Sequence, residues 1–182
     1  MGRIDNERLT LQDFLGEYLP YARLVRVFTG CVSVGPVKHV LGILPACTPL
    51  SIIAGSIVED LQDEIDLYAR GANDHILHHA MATGRLKLGF HPKMHMKVWI
   101  LNIDMPRRRP YLTVSGSSNF TWQGLARRKG EQNDPSRGRG RFRLEEARWQ
   151  RFERETSWIS SHTWPTIQKQ CRKDTVSFKK SL

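Results

Sequence analysis

His95 and Lys97, then Ser117 and Asn119, are the residues of this chain whose types and spacing are best suited to chemistry; they lie in KMHMKVWIL and YLTVSGSSNFTWQGL. On an extended strand alternate side chains point the same way, so His95 and Lys97 share a face, as do Ser117 and Asn119. Gly116 lets a bulky group approach the backbone beside them. Two strands, each offering a polar pair from an otherwise apolar run, would build a pocket holding an imidazole, an ammonium, a hydroxyl and an amide. That set suits a phosphodiester: it supplies one nucleophile and several donors to oxygens that gain negative charge.

The ordered set H-x-K, a hydrophobic strand, then G-S-x-N resembles the signature of the phospholipase D-like (HKD) phosphodiesterases. The match is tight over residues 94–131 and loose in the order of elements from Ala22 onward. It departs at Asn102, where the usual pattern has Asp five residues after the Lys, with Asp104 two further on. The family's nuclease branch, which includes metal-independent restriction endonucleases, also lacks that Asp. The same branch carries a Glu about a dozen residues beyond the Asn, and here Glu131 lies twelve residues after Asn119.

The resemblance implies an α/β sandwich with a mixed sheet flanked by helices. It also implies cofactor-free, metal-independent cleavage of nucleic acid, DNA more than RNA. By that resemblance His95 Nε2 attacks phosphorus to form a phosphohistidine, and a second histidine protonates the leaving oxygen. Lys97 and Asn119 then stabilise charge on the non-bridging oxygens, Ser117 completes the polar set, and Glu131 orients the imidazole. Family members with one such set pair two subunits about a two-fold axis. This chain holds one set, so a homodimer with a shared active site is expected. Two alternatives stand beside this: a non-catalytic nucleic-acid-binding module, and a phospholipid-directed hydrolase.

The charge pattern bears on these options. The net charge is +10, and residues 1–105 hold 10 Lys/Arg against 11 Asp/Glu, whereas residues 106–182 hold 18 against 7. Basicity concentrated in one part of a chain is an electrostatic footprint for a polyanion. Arg107, Arg108, Arg109, Arg127, Arg128 and Lys129 are the candidate nucleic-acid contacts. No apolar run reaches about 18 residues, so a membrane partner is not expected. The acid-containing N-terminus lacks an apolar core of secretory type. Three scattered cysteines, Cys31, Cys47 and Cys171, favour a reducing cytoplasm over a disulfide framework.

The elements that must position the pocket can be read in order. Residues 9–19 suit a short helix, and 22–28 a first core strand closed by Thr29-Gly30. Residues 35–44 suit a helix with Pro36 in its first turn, and 50–54 a buried strand. A capping box from Ser56 to Glu59 opens a helix through Tyr68, and Asn73 caps another through Met81. Three strands follow, at 85–90, 94–101 and 111–117, and a helix opening at Asn119 would point its amides at a phosphate. The loop 102–110, with its three arginines, is expected to project near the pocket. Residues 127–143 read as a mobile Gly/Arg-rich loop, 144–158 as a helix with Trp149, Phe152 and Ile159 on its apolar stripe, and the chain beyond Pro165 as a fraying basic tail. This gives a catalytic domain over 1–132 followed by a basic loop, helix and tail over 133–182.

Two competing signals are weaker. His91-Pro92-Lys93 also spells H-x-K, but proline and the lack of a following strand rank it below His95-Met96-Lys97. His75, His78 and His79, near Asp74, offer metal-binding side chains on one helix face. They lack H-E-x-x-H and a placed third ligand, so no metal is expected. Trp122 reads as a packing residue.

Overall fold

The computed structural model describes residues 10–73, 75–106, 108–126 and 132–171. It is an α/β structure around a seven-stranded mixed sheet ordered β6-β5-β4-β1-β2-β3-β7. Strands β1 (Ala22–Val32), β2 (Leu50–Ile57) and β3 (Leu86–Phe90) are parallel, and β4 (Val98–Ile103) runs antiparallel beside β1. β5 (Tyr111–Gly116) and β6 (Asn133–Ser136) extend one edge, and β7 (Ser157–Trp158) closes the other.

Alternation along the central strands assigns the two faces. Val25, Val27, Ile52, Ala54, Trp99 and Leu101 join the larger core with α1 (Leu11–Gly16), α2 (Val34–Ile43), α3 (Glu59–Ala69), α4 (Ile76–Ala82) and α5 (Trp122–Ala126). Phe28, Ile53, Val98 and Ile100 face the other way, where α6 (Arg139–Glu155) places the fully buried Trp149 on them. Both faces are covered, which is why these strands read as nearly continuous apolar runs.

Several boundaries differ from the sequence expectation, each for a tertiary reason. β1 does not stop at Thr29-Gly30 but continues to Val32, because Cys31 and Val32 pair with Ser56 and Ile57 of β2. Ser56 is therefore a strand residue rather than a helix cap, and α3 starts at Glu59 after Val58. α4 is preceded by His75, not Asn73. Part of the segment read as a mobile loop is the strand β6 and the first turns of α6. Its Pro135 is tolerated because β6 is an edge strand, which has an unpaired side. Ile159 leaves the α6 stripe and packs on the larger core. Residues 164–171 are helical rather than frayed: Trp164 and Cys171 are buried, and Trp164 Nε1 donates to Asp66 at 2.5 Å, whereas the rest of the expected tail, 172–182, lies outside the described residues. The expected boundary at 132 falls between β5 and β6, which pair with each other.

Candidate active site

The register puts the carboxyl ends of β1, β2, β3 and β5 and the start of β4 on one edge of the sheet, since Phe28 pairs with Val98 and Val98 with Ser115. Ligands of open α/β sheets bind outside such carboxyl ends. The segment leading into β4 crosses this edge. His91 N–H donates to the Ala54 carbonyl (2.9 Å) and Met94 N–H to the His91 carbonyl (2.9 Å), turning the chain over β2. A Cβ on Gly55 would lie 2.1 Å from the Met94 oxygen, so only glycine admits this crossing. Met94 then plugs the smaller core, leaving His95 at the surface.

His95 and Lys97 are thus not on β4, which begins at Val98, but on the extended lead-in to it. His95 is exposed, and Lys97 is half-buried. Lys97 folds back so that its Nζ donates to the His95 carbonyl (2.8 Å), while its own carbonyl accepts from Gly116 N–H (3.1 Å) at the end of β5.

After β5 the GSSN turn docks on β1. Asn119 Oδ1 accepts from Cys31 N–H (3.0 Å), and Phe120 N–H donates to the Thr29 hydroxyl (2.9 Å). A Cβ placed on Gly30 would lie 3.0 Å from Asn119 Oδ1 and 3.2 Å from Lys97 Nζ. The Lys97 ammonium and the Asn119 amide oxygen therefore both lie against Gly30. Gly124, at the start of α5, approaches the Asn119 backbone where a Cβ would lie 2.2 Å from its oxygen, which fixes the turn from the other side. α5 itself opens at Trp122, three residues later than expected, and has only five residues.

Ser117 has a different environment from Asn119. It is exposed in a bend, and its hydroxyl accepts from Gln132 N–H at 2.9 Å, joining the turn to the start of β6. Ser118 points inward and accepts from the buried Asn133 side chain at 2.8 Å. Glu131, Arg107, Arg127, Arg128 and Lys129 lie outside the described residues.

The arginine loop corrects the sequence reading. It follows the far end of β4, about 20 Å from the candidate site at the strand rise of ~3.3 Å per residue. Arg108 is bound there, stacked 5.5 Å over Tyr18 and donating to its hydroxyl at 2.8 Å, whereas Arg109 is exposed. Asn102, where the motif has Asp, pairs with Tyr111 at that same distant end. Exposed arginines also stand along α6, among them Arg139, Arg143, Arg151 and Arg154.

Three residues missed as site components are Thr29, Gly30 and Cys31. Their only signal was a Gly inside an apolar strand run, which marks a close backbone approach. Burial pushes the Cys31 thiol above its ordinary pKa and the Asp60 charge adds to this. Hydrogen bonds from the Val32 backbone and Ser56, together with the Lys97 charge, oppose it. The raised pKa leaves Cys31 with less thiolate than an ordinary cysteine at the same pH.

No protein-family model and no curated protein matches the chain. Among solved structures it is similar to TrmBL2, an archaeal chromatin protein that shows a novel mode of DNA binding. The identity is 10% over 83% of this chain and 52% of that one, with a TM-score of 0.48. It is also similar to yeast tyrosyl-DNA phosphodiesterase, at 18% identity over 73% of this chain and 29% of that one, with a TM-score of 0.40. A mutant form of the same yeast enzyme gives 19% identity and a TM-score of 0.41 over 73% and 29%. The chain spans about half of the first protein and under a third of the second.

Proposed function

We propose that this chain is a metal-independent phosphodiesterase that cleaves nucleic acid, DNA in the first instance. The observation that carries this reading is the convergence of Lys97 Nζ and Asn119 Oδ1 above Gly30, beside an exposed His95. Two different segments of chain deliver these side chains to the carboxyl edge of the sheet; with Asn119 Oδ1 held by Cys31 N–H, the Lys97 ammonium and the Asn119 amide nitrogen are the groups left to donate to the non-bridging oxygens of one phosphate.

In this mechanism His95 Nε2 attacks phosphorus, the P–O bond to the leaving group breaks, and a phosphohistidine forms. A second imidazole gives its proton to the departing oxygen, then takes one from the water that hydrolyses the intermediate. Lys97 and the Asn119 amide group stabilise the charge that builds on the phosphoryl oxygens, a contribution worth about 10²–10³ in rate per donor in comparable sites. Ser117 holds the turn that presents Asn119, and Glu131 is the proposed carboxylate partner of His95.

The test is incubation of plasmid and single-stranded DNA in excess EDTA, wild type beside His95→Ala. Cleavage by wild type in EDTA and none by His95→Ala, with DNA binding retained by both, is the expected result. Strict dependence on magnesium, or equal cleavage by the variant, refutes the mechanism. DNA binding with no cleavage by either protein assigns the chain to the binding-module alternative.

A further inference from the structure

In the layer of helices that covers the larger core, Glu64 of α3 meets His75, which precedes α4, and His78 in its first turn. The ligand atoms of all three lie within 4.8 Å of one another, the one such group of His, Cys and acidic residues among the described residues. Glu64 Oε2 is 2.5 Å from His75 Nε2 and 3.3 Å from His78 Nε2. The two imidazoles are stacked with their ring centres 3.7 Å apart. His78 is fully buried, while Glu64 and His75 keep 20% and 30% of their side chains exposed, which leaves a solvent route to the centre.

We propose that Glu64, His75 and His78 form a structural binding site for a zinc-type divalent cation, clamping α3 to α4. Two imidazoles and one carboxylate are a zinc ligand set, with donors about 2.0–2.2 Å from the metal and a fourth position left for water. Around a tetrahedral ion such donors stand roughly 3.3 Å apart, the spacing that Glu64 Oε2 and His78 Nε2 already have. The spacing to His75 is shorter and opens as the stacked rings spread around the ion.

One further feature supports the assignment. Lys38 Nζ donates to the other carboxylate oxygen, Glu64 Oε1, at 2.7 Å, and so turns Oε2 toward the imidazoles. A carboxylate oriented by a partner of its own is the outer-shell arrangement of metal sites. On binding, His78 Nε2 gives up its 2.9 Å contact with the Glu64 backbone oxygen, and any proton on a ligating nitrogen leaves to solvent.

The sequence grouped His75, His78 and His79 as metal-binding side chains of one helix. In the structure His79 is exposed and outside the group, and Glu64 joins His75 and His78 from a separate helix.

The test uses the full chain, stripped with chelator and then titrated with zinc chloride by calorimetry and equilibrium dialysis, with cobalt(II) absorbance as an independent readout. Wild type should bind one zinc per chain, show the intense visible bands of four-coordinate cobalt, and melt at a higher temperature with zinc than without. His75→Gln and Glu64→Gln should each weaken zinc binding by at least about tenfold and abolish the thermal shift, while His162→Gln leaves both unchanged. Both ligand variants are partly exposed, and circular dichroism checks that they fold. Absence of stoichiometric zinc on wild type overturns the proposal. So does unchanged zinc affinity in the two ligand variants. DNA cleavage in EDTA is a separate readout, so this site and the proposed phosphodiesterase centre stand or fall independently.

Discussion

Gly30 carries no Cβ, and that absence lets Lys97 and Asn119 meet. Alanine there would place a methyl 3.0 Å from Asn119 Oδ1 and 3.2 Å from Lys97 Nζ, closer than ordinary contact. Both neighbours are side-chain ends and can move, so Gly30→Ala should change folding stability by less than about 1 kcal/mol. The proposed phosphate site would be spread apart, and displacements near 1 Å cost up to about 100-fold in rate. Cleavage kinetics beside a urea titration would check this, and a loss of activity matched by unfolding would contradict it. The cysteines give a second residue-scale prediction. Cys47 is exposed, Cys31 is half-buried with its thiol pKa raised by burial, and Cys171 is buried. A raised pKa means less thiolate at a given pH. At about pH 8, near the ordinary cysteine pKa, iodoacetamide should therefore alkylate Cys47 first and Cys31 much more slowly, with the Cys31 rate still climbing as the pH rises further. Mass spectrometry of timed digests would show the order.

Two glycines separate space from strain at the scale of elements. Gly42 lies near the end of α2, and a methyl placed there would meet nothing within 4 Å, so Gly42→Ala should stabilise the fold by about 0.5–1 kcal/mol through helix propensity. Gly55 lies on β2 where a Cβ would stand 2.1 Å from the Met94 oxygen, which is backbone and cannot swing aside. Gly55→Ala should destabilise the protein by a few kcal/mol, at the upper end of single substitutions, and displace the segment carrying His95. Denaturant midpoints of the two variants should move in opposite directions. α6 shows the same logic of layers. Trp149 stacks 5.0 Å from Phe28 and under Arg26, and it completes the cover of a sheet face that β1, β2 and β4 leave apolar.

A phosphohistidine mechanism needs a second imidazole, and the whole molecule bears on where it comes from. His91 is buried beside Phe152 and Glu155, His39 lies against Gln12 and Trp122, and His75 and His78 are engaged with Glu64. His79 lines a cavity with Cys47 and Arg85 at the opposite edge of the sheet, and His162 follows β7, which runs away from the site edge. The proposed mechanism would therefore draw its second imidazole from a second copy, in an isologous pairing. Light scattering should give twice the 21.0 kDa chain mass at assay concentration. Mixing wild type with His95→Ala should yield inactive heterodimers, whereas a fully active monomer would refute the shared site.

The types and order of the chemical groups were legible in the sequence because they are local: H-x-K and G-S-x-N each span a few residues, and the apolar runs around them announce a covered sheet. Element type was legible for the same reason, since hydrophobic period and turn residues act over short windows. What the sequence could not supply depends on contacts between distant segments. β1 continues past Thr29-Gly30 only because β2 pairs with it, and His95 lies off β4 because a turn over Gly55 intervenes. The arginine loop was assigned to the wrong end of the sheet, since strand direction and register, not proximity in sequence, decide which loops share an edge. The 133–171 segment looked like an appendage by composition, yet it supplies both edge strands of the sheet and the apolar cover of one face. Local composition sets what each segment prefers; pairing and burial with remote partners, which carry most of the folding free energy, set where it ends up.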